Sequence, residues 1–436
     1  MEKRPAKTEA LKLIKQFGSP LFVVYAATIA ENIRKYRKAF NSFAGGFSLC
    51  YSVKTNSSPG LLSVFRKHKV LAEVCSLTDL TAAFKAGFTG EQIIFDGLVK
   101  TEEELQLAIK HDISLINVES LHEAQKLAAV ADKLKRKVKV GIRLSSPSSR
   151  VGLKSLLGIS YDRFGVSRHS GAAKEVAEFI LSCKYLQLVG LHCHTGSNQK
   201  SARSYLTGID ELVTFAAFLR DEYDVTISVI NLGGGFGLPR ITAYTVPDLA
   251  ANAVKHLFGS SVEHEHTPMP FTDMVTTIMN YLQEKLVENK LPLPILMLEP
   301  GRSLIGNTCH LLTTIVETKK TDHNNWMIID AGTNLMPVLT VYSEFHDIVV
   351  FSDSRKKQAT SLAGPLLYSS DTIVKNRMLT EGQIGDVVMI CDVGAYFNCQ
   401  ANQFLYPRAA TVLIDQKPRL MQRRETVDDL FNRDII

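Results

Sequence analysis

The sequence predicts an α/β plus β architecture: a (β/α)8 barrel of the TIM type followed by a mostly antiparallel β domain. Eight apolar runs of strand length recur between residues 47 and 299, each followed by enough chain for a crossover helix. Their polar and glycine residues gather where the runs end, which is where such a barrel builds its working surface. After residue 303 the texture changes to β-rich runs separated by polar turns, with few helical windows between them.

In chain order the strand-length runs are FSLCYSV (47–53), LAEVC (71–75), QIIFD (92–96), SLINVE (114–119), VKVGIRL (138–144), LQLVGLHCH (186–194), VTISVINL (225–232) and PILMLE (294–299). An open, doubly wound sheet is the alternative arrangement of the same elements. The later runs are HLLTTIVET, WMIIDAG, HDIVVFS, VVMICDV and ATVLIDQ. The domain boundaries follow: 31–304 for the barrel, 305–436 for the β domain, and an N-terminal segment 1–30 expected to join the β domain.

The chain has 436 residues, 45% of them hydrophobic, which fits a globular protein of about two to three domains. Its seven cysteines, without repeated CxxC spacing, suggest reduced thiols rather than a disulfide or metal framework. The charged N-terminus, broken by Gly18 and Pro20, does not read as a signal peptide, and no run approaches the roughly 20 apolar residues of a membrane span. A cytoplasmic protein is expected. The net charge of +6 is dispersed, and its densest run, KLKRKVKV (133–140), reads as a helix end passing into a strand. No nucleic-acid partner is expected, because no aromatic residues interleave the basic ones.

Taking the strand ends in turn, Lys54 closes the first, Ser76 follows the second and Gly97 the third. Glu119 and Arg143 end the fourth and fifth, His194 closes the sixth, Gly233-Gly234-Gly235 follow the seventh, and Glu299-Pro300-Gly301-Arg302 the eighth. Glycines let backbone N–H groups approach phosphate oxygens, and an arginine offers a planar fork of donors, so the last two loops read as a phosphate site. A lysine in such a mouth needs a carboxylate partner or a covalent fate; desolvation there would favour the amine form that makes an imine. His194 alone would read as a core histidine, but the HTGS context at a strand end favours a ligand contact. The EHEH run (263–266) lacks a third ligand of suitable spacing and reads as a solvated loop, so no metal is expected. Asp330, in IIDAG, reads as a turn former.

The runs YSVKTNSSPG (51–60), HCHTGSNQ (192–199), NLGGGFG (231–237), LEPGR (298–302), GPLLYSSD (364–371) and DVGAYF (392–397) together resemble the fold-type III pyridoxal-phosphate decarboxylases. That group includes diaminopimelate, ornithine and arginine decarboxylases, and INVES (116–120) is most similar to the diaminopimelate branch. The resemblance extends from FGSPLFVVY (17–25) to FLYPRAATVL (404–413). It implies pyridoxal 5'-phosphate as cofactor, Lys54 as its Schiff-base lysine, and His194 stacked on its ring. Glu299 would face the pyridine nitrogen, and Ser197, Gly234, Gly235, Gly301, Arg302 and Tyr396 would surround the phosphate. Glu73 stands where relatives have Asp and is expected to orient Lys54 or the ring. Arg143, Leu367 and Tyr368 are assigned to the substrate side. A homodimer is implied, in which segments 364–371 and 392–397 complete the partner's active site.

The resemblance also exposes departures. At residues 367 and 368 relatives carry a cysteine that reprotonates Cα and an acid that pairs with a distal ammonium; this chain has Leu367 and Tyr368. Around NLMPVLTVY (334–342) the diaminopimelate branch places an arginine and a tyrosine for a distal carboxylate; this chain has Met336 and Thr340. The expected activity is therefore decarboxylation of an amino-acid-like substrate other than free diaminopimelate, such as a conjugated diamino acid of siderophore or other secondary metabolism. Reprotonation would pass to Lys54, Tyr368 or water. Diaminopimelate decarboxylation proper, racemisation and a non-catalytic regulatory role stay open as alternatives. Against racemisation stands Glu299, because racemases of this cofactor fold place an arginine at the ring nitrogen.

Overall fold

The computed structural model describes residues 3–146, 163–238, 242–243, 269–322, 324–342 and 344–435; the EHEH run lies outside the described residues. The chain forms two compact units, one of Asn32–Gly237 and Pro268–Gly301, the other of Met1–Glu31, Leu238–Thr267 and Arg302–Ile436. Arg302 groups with the β unit, close to the boundary at 304/305 expected from the sequence.

Strands are numbered in chain order: β1 (Leu21–Tyr25), β2 (Phe47–Ser52), β3 (Leu71–Val74), β4 (Ile93–Phe95), β5 (Leu115–Val118), β6 (Val138–Arg143), β7 (Leu186–His192), β8 (Val229–Asn231), β9 (Thr242–Ala243) and β10 (Ile295–Leu298). All eight barrel runs form strands, and they close in the order β10-β2-β3-β4-β5-β6-β7-β8 with every pair parallel. The open-sheet alternative is thereby excluded. Cys50, Ile94, Leu115 and Met297 pack together as a cluster of buried barrel-strand side chains. The strands end one or two residues earlier than the apolar runs, because the chain turns into the loops there whether the last residue is polar, as at Asp96, Glu119 and Glu299, or apolar, as at Val53 and Leu144. His194 thus lies two residues beyond β7, and Lys54 sits in a 3-10 turn, Val53–Thr55, rather than on β2.

The helix starts fix those loops. Ser76, Thr101 and Ser120 each accept a hydrogen bond from the backbone N–H three residues on, at Asp79, Glu104 and Glu123, and so cap the helices Leu77–Lys85, Glu102–Lys110 and Leu121–Leu134. Lys100, buried, ties neighbouring loops by donating to Gly97 O, Asn117 O and the Glu123 carboxylate.

The β unit continues with β11 (Cys309–Lys320), β12 (Asn325–Ile329), β13 (Glu344–Phe345), β14 (Ile348–Phe351), β15 (Lys357–Ala363), β16 (Thr372–Thr380), β17 (Val387–Ile390), β18 (Ala410–Ile414) and β19 (Pro418–Gln422). Its nine-stranded sheet runs β16-β15-β12-β11-β1-β18-β19, with β17 on β11 and β14 on β17. The pairs are antiparallel except β1 with β18 and β12 with β15. Leu21, Val23 and Tyr25 of β1 are buried with Leu312, Val387, Met389 and Val412, so the N-terminal segment is part of this core. The strands β13, β15, β16 and β19 escaped the sequence reading; β16 is half-exposed along most of its length and shows no alternation.

Candidate active site

In the barrel unit, strand register lines up the ends of β6, β7 and β8 at Arg143, His192 and Asn231, and those of β2 and β3 at Ser52 and Glu73. Tyr51 closes the turn bearing Lys54 by donating to Asn56 O at 3.1 Å, and its ring stacks on Phe65 at 4.0 Å. The Lys54 amine lies 3.8 Å from Glu73 Oε1 and 3.6 Å from Cys75 Sγ. Its side chain is 51% exposed, more than a strand-end lysine was expected to be, because the chain leaves the strand before it.

Glu299 is buried at the end of β10. Asn231 donates to its Oε1, and His192 Nε2 lies 3.6 Å from its Oε2. His192 Nδ1 faces Asp96 at 3.4 Å. Burial pushes the Glu299 carboxyl well above its ordinary range, with Asp96 and Glu73 adding repulsion. Burial lowers the His192 imidazole to about 4 in spite of Asp96, so the ring is neutral near pH 7. Asp96 is held below its ordinary value although burial opposes this; with His192 neutral, we assign the effect to Arg143 and to the 2.6 Å hydrogen bond from Asn117. His194 is likewise lowered, to about 3, by burial and by the Lys54 and Arg143 cations. A neutral ring there suits stacking.

The triple glycine packs between two loops. A Cβ at Gly234 would lie 2.4 Å from Glu299 O, and one at Gly235, where φ is +93°, would lie 2.1 Å from Gly196 O. Only glycine fits, and the turn holds its backbone in place: Gly233 N donates to Asn231 Oδ1, Gly234 N to His194 Nδ1, and Tyr205 to Gly234 O. Ser197 is exposed in the neighbouring loop and Gly301 follows β10. Arg143 is ion-paired with Glu119 and lies over the Phe164 ring at 4.9 Å.

Arg302, Tyr396, Leu367 and Tyr368 belong to the β unit. Arg302 lies over the Tyr396 ring at 5.2 Å and forms a two-pronged pair with Glu344 at 2.6 and 2.8 Å. A phosphate at Arg302 would share it with that carboxylate. Tyr368 shares a 2.6 Å hydrogen bond with Thr333 Oγ1, while Leu367 is 92% exposed. Asp330 accepts from Thr313 and Thr314 N beside β12, as a turn-forming residue does.

Pyridoxal phosphate requires an amine for its aldehyde, a carboxylate for its ring nitrogen and a cradle for its phosphate. The barrel offers Lys54, Glu299 and the glycine turn, in which the Gly233 and Gly234 N–H groups are engaged with Asn231 and His194 and, among the described residues, the Gly235 N–H is left for a phosphate oxygen. Glu299 has no lysine or arginine ion-pair partner among the described residues, which suits a carboxylate awaiting a cationic ring. The donor set therefore fits the group. The chain matches the family model "Pyridoxal-dependent decarboxylase, pyridoxal binding domain" over residues 26–256, more than half its length.

The chain belongs to the pyridoxal-dependent decarboxylases.

This decarboxylase is 29% identical to the diaminopimelate decarboxylase of Methanocaldococcus jannaschii, covering 98% of this chain and 94% of the relative. It is 27% identical to that of Bacillus subtilis, with the same coverage of 98% and 94%. The crystal structure of the M. jannaschii enzyme in complex with L-lysine superposes with a TM-score of 0.88 at 29% identity, again covering 98% and 94%. The protein is a pyridoxal-phosphate-dependent amino-acid decarboxylase, a carboxy-lyase. Among the described residues no helix is long and apolar enough to cross a membrane.

The sequence reading missed Asp96, His192, Asn231 and Cys75 as parts of the mouth. All four stand at or next to a strand end, and that position was the signal available.

Proposed function

We propose that this decarboxylase acts on an amino acid whose distal end carries no free zwitterion, such as an N-acylated or otherwise conjugated diamino acid of siderophore or other secondary metabolism. The observation that carries the proposal is the residue set at 336, 340, 367 and 368, where the branch it resembles holds a distal ammonium and carboxylate. Met336 is buried and offers no donor, Thr340 donates to Pro337 O, the Tyr368 hydroxyl is engaged with Thr333, and Leu367 is exposed. Once a second copy covers these side chains, an unpaired charged end held against them would cost several kcal/mol.

In this reading Lys54 binds the cofactor, Glu299 holds a proton on its ring nitrogen, His194 lies against the ring face, and the Gly233–Gly235 turn receives the phosphate. When bound, pyridoxal phosphate supplies the electron sink for the pair left by departing carbon dioxide. Asn231 fixes the Glu299 carboxyl, and the neutral His192 beside it adds no competing charge. Glu73, 3.8 Å from the amine, orients Lys54.

The test compares meso-diaminopimelate, lysine, ornithine and arginine with conjugated diamino acids by carbon dioxide release. Conjugates are expected to be preferred by at least about 100-fold in kcat/KM, the equivalent of losing one paired charge. Turnover of diaminopimelate at a specificity constant equal to the best conjugate refutes the proposal. The second reading, diaminopimelate decarboxylation itself, is favoured by the similarity to the M. jannaschii and B. subtilis enzymes.

We further propose a homodimer. Leu367, Tyr368, Phe404, Leu405 and Tyr406 expose apolar surface on the β unit, and the Tyr368 and Phe404 rings meet edge to face at 5.6 Å. Apolar side chains so exposed are expected to be covered by a second copy. Sedimentation should give a dimer, and Leu367→Glu should shift it toward monomer. A fully active monomer at low concentration would contradict the assembly.

A further inference from the structure

Cys75 lies just past β3, and three features fix it there. Its backbone N–H donates to Asp79 Oδ2 at 3.1 Å, and Ser76 next to it caps the following helix. Gly97, at φ +106°, lets the next loop approach so closely that a Cβ there would lie 2.5 Å from Cys75 O. The thiol donates to Glu73 Oε1 at 2.7 Å and sits 3.6 Å from the Lys54 amine. The second Glu73 oxygen, Oε2, is buried on a side chain 1% exposed and has no hydrogen-bond partner among the described residues. A buried carboxylate with a lone pair unused is costly unless a proton or a donor arrives during the reaction cycle.

We propose that Cys75, paired with Glu73, is the acid that returns a proton to the substrate carbon after carbon dioxide leaves. The proposal rests on Lys54 being the amine at which the reaction occurs. It assigns the role left open by Leu367, an apolar side chain that cannot donate. Burial and the Glu73 carboxylate raise the thiol well above its ordinary range, so it keeps its proton near pH 7 and serves as a donor rather than a nucleophile. Cys50, the buried thiol of β2, is enclosed with Ile94, Leu115 and Met297 in the barrel-strand cluster and has no such contact with Lys54. The step balances without an oxidant. The bond from Cα to the carboxyl carbon breaks, its electron pair remains on Cα, and carbon dioxide departs. The S–H bond of Cys75 then breaks and a C–H bond forms. The thiolate regains its proton from the Lys54 ammonium 3.6 Å away, which is reprotonated from water, so one solvent proton is consumed per carbon dioxide released.

The first test needs no substrate. Alkylation of Cys75 by iodoacetamide is followed by peptide mass spectrometry, in apoenzyme and cofactor-loaded enzyme, across pH. In Glu73→Gln the thiol loses its carboxylate neighbour, and alkylation at pH ~8.5 should accelerate by about tenfold or more, while Lys54→Met should slow it. Unchanged rates in both variants overturn the pair. The second test uses Cys75→Ala in the loaded enzyme, with whichever member of the substrate panel the wild type turns over, diaminopimelate included. The kcat is expected to fall roughly 100-fold with KM nearly unchanged. The yield of amine per carbon dioxide should also drop, with a carbonyl product and pyridoxamine phosphate in its place, because the proton then reaches the cofactor instead of the substrate carbon. Cys75→Ser should recover part of the amine yield. A wild-type ratio of amine to carbon dioxide in Cys75→Ala overturns the proposal. Because the test runs on any substrate found, it fails or succeeds separately from the choice of a conjugated one.

Discussion

Replacing Lys54 with alanine abolishes covalent attachment of pyridoxal phosphate and lowers carbon dioxide release to the limit of detection. Among the described residues no other lysine amine pairs with Glu73 or Cys75 at the barrel mouth; Lys100, the fully buried lysine of the neighbouring loop, is held by Glu123 and two carbonyls. The loss should be at least about 10⁴-fold, as expected when a nucleophile rather than a neighbour is removed. Borohydride reduction of the loaded wild type followed by peptide mapping should place the label on Lys54, and in Lys54→Ala no labelled peptide should appear. Near-normal turnover of the variant would overturn the assignment of the site.

The second large effect belongs to Glu299. Glu299→Gln keeps the shape and a hydrogen bond to Asn231 but cannot carry the charge that holds a proton on the ring nitrogen. A cofactor without that proton is a shallower sink for the electron pair. Carbon dioxide release should fall by roughly 10²- to 10³-fold, comparable to the loss of one preorganised electrostatic partner. Attachment at Lys54 should persist, since the amine and Glu73 are untouched. Equilibrium binding of pyridoxal phosphate, read by its visible absorbance, should weaken far less than the rate. A rate within about threefold of wild type would show that Glu299 does not face the ring nitrogen. The upward shift of this carboxyl adds a check: a cationic ring beside Glu299 should lower its pKa again, so cofactor binding should release protons in a pH window above the ordinary carboxylate range, measurable as buffer-dependent heat.

The barrel elements and their order could be read along the chain, whereas half-exposed strands of the β unit such as β16 could not. Apolar, β-branched runs at regular spacing can bury both faces only in a parallel sheet covered by helices, so the eight barrel strands were legible before any coordinates. The positions of Lys54, His194, the glycine triplet and Glu299 just past strand ends were legible too, because the motifs there are local in sequence; the roles given to them rest on the resemblance. Contacts between residues distant along the chain emerged only from the folded arrangement. Cys75 reaches Lys54 because β2 and β3 pair in a register that puts Ser52 opposite Glu73. His192 stands between Asp96 and Glu299, residues 96 and 107 positions from it, because barrel closure turns three strand ends toward one centre. The ion pair of Arg302 with Glu344 was equally invisible, since neither residue carries a local signal of the other. Strand and helix periodicity is a property of neighbouring residues, whereas a protonation state depends on burial and on charges supplied by other strands. The first can be read along the chain, and the second exists only once the barrel has closed.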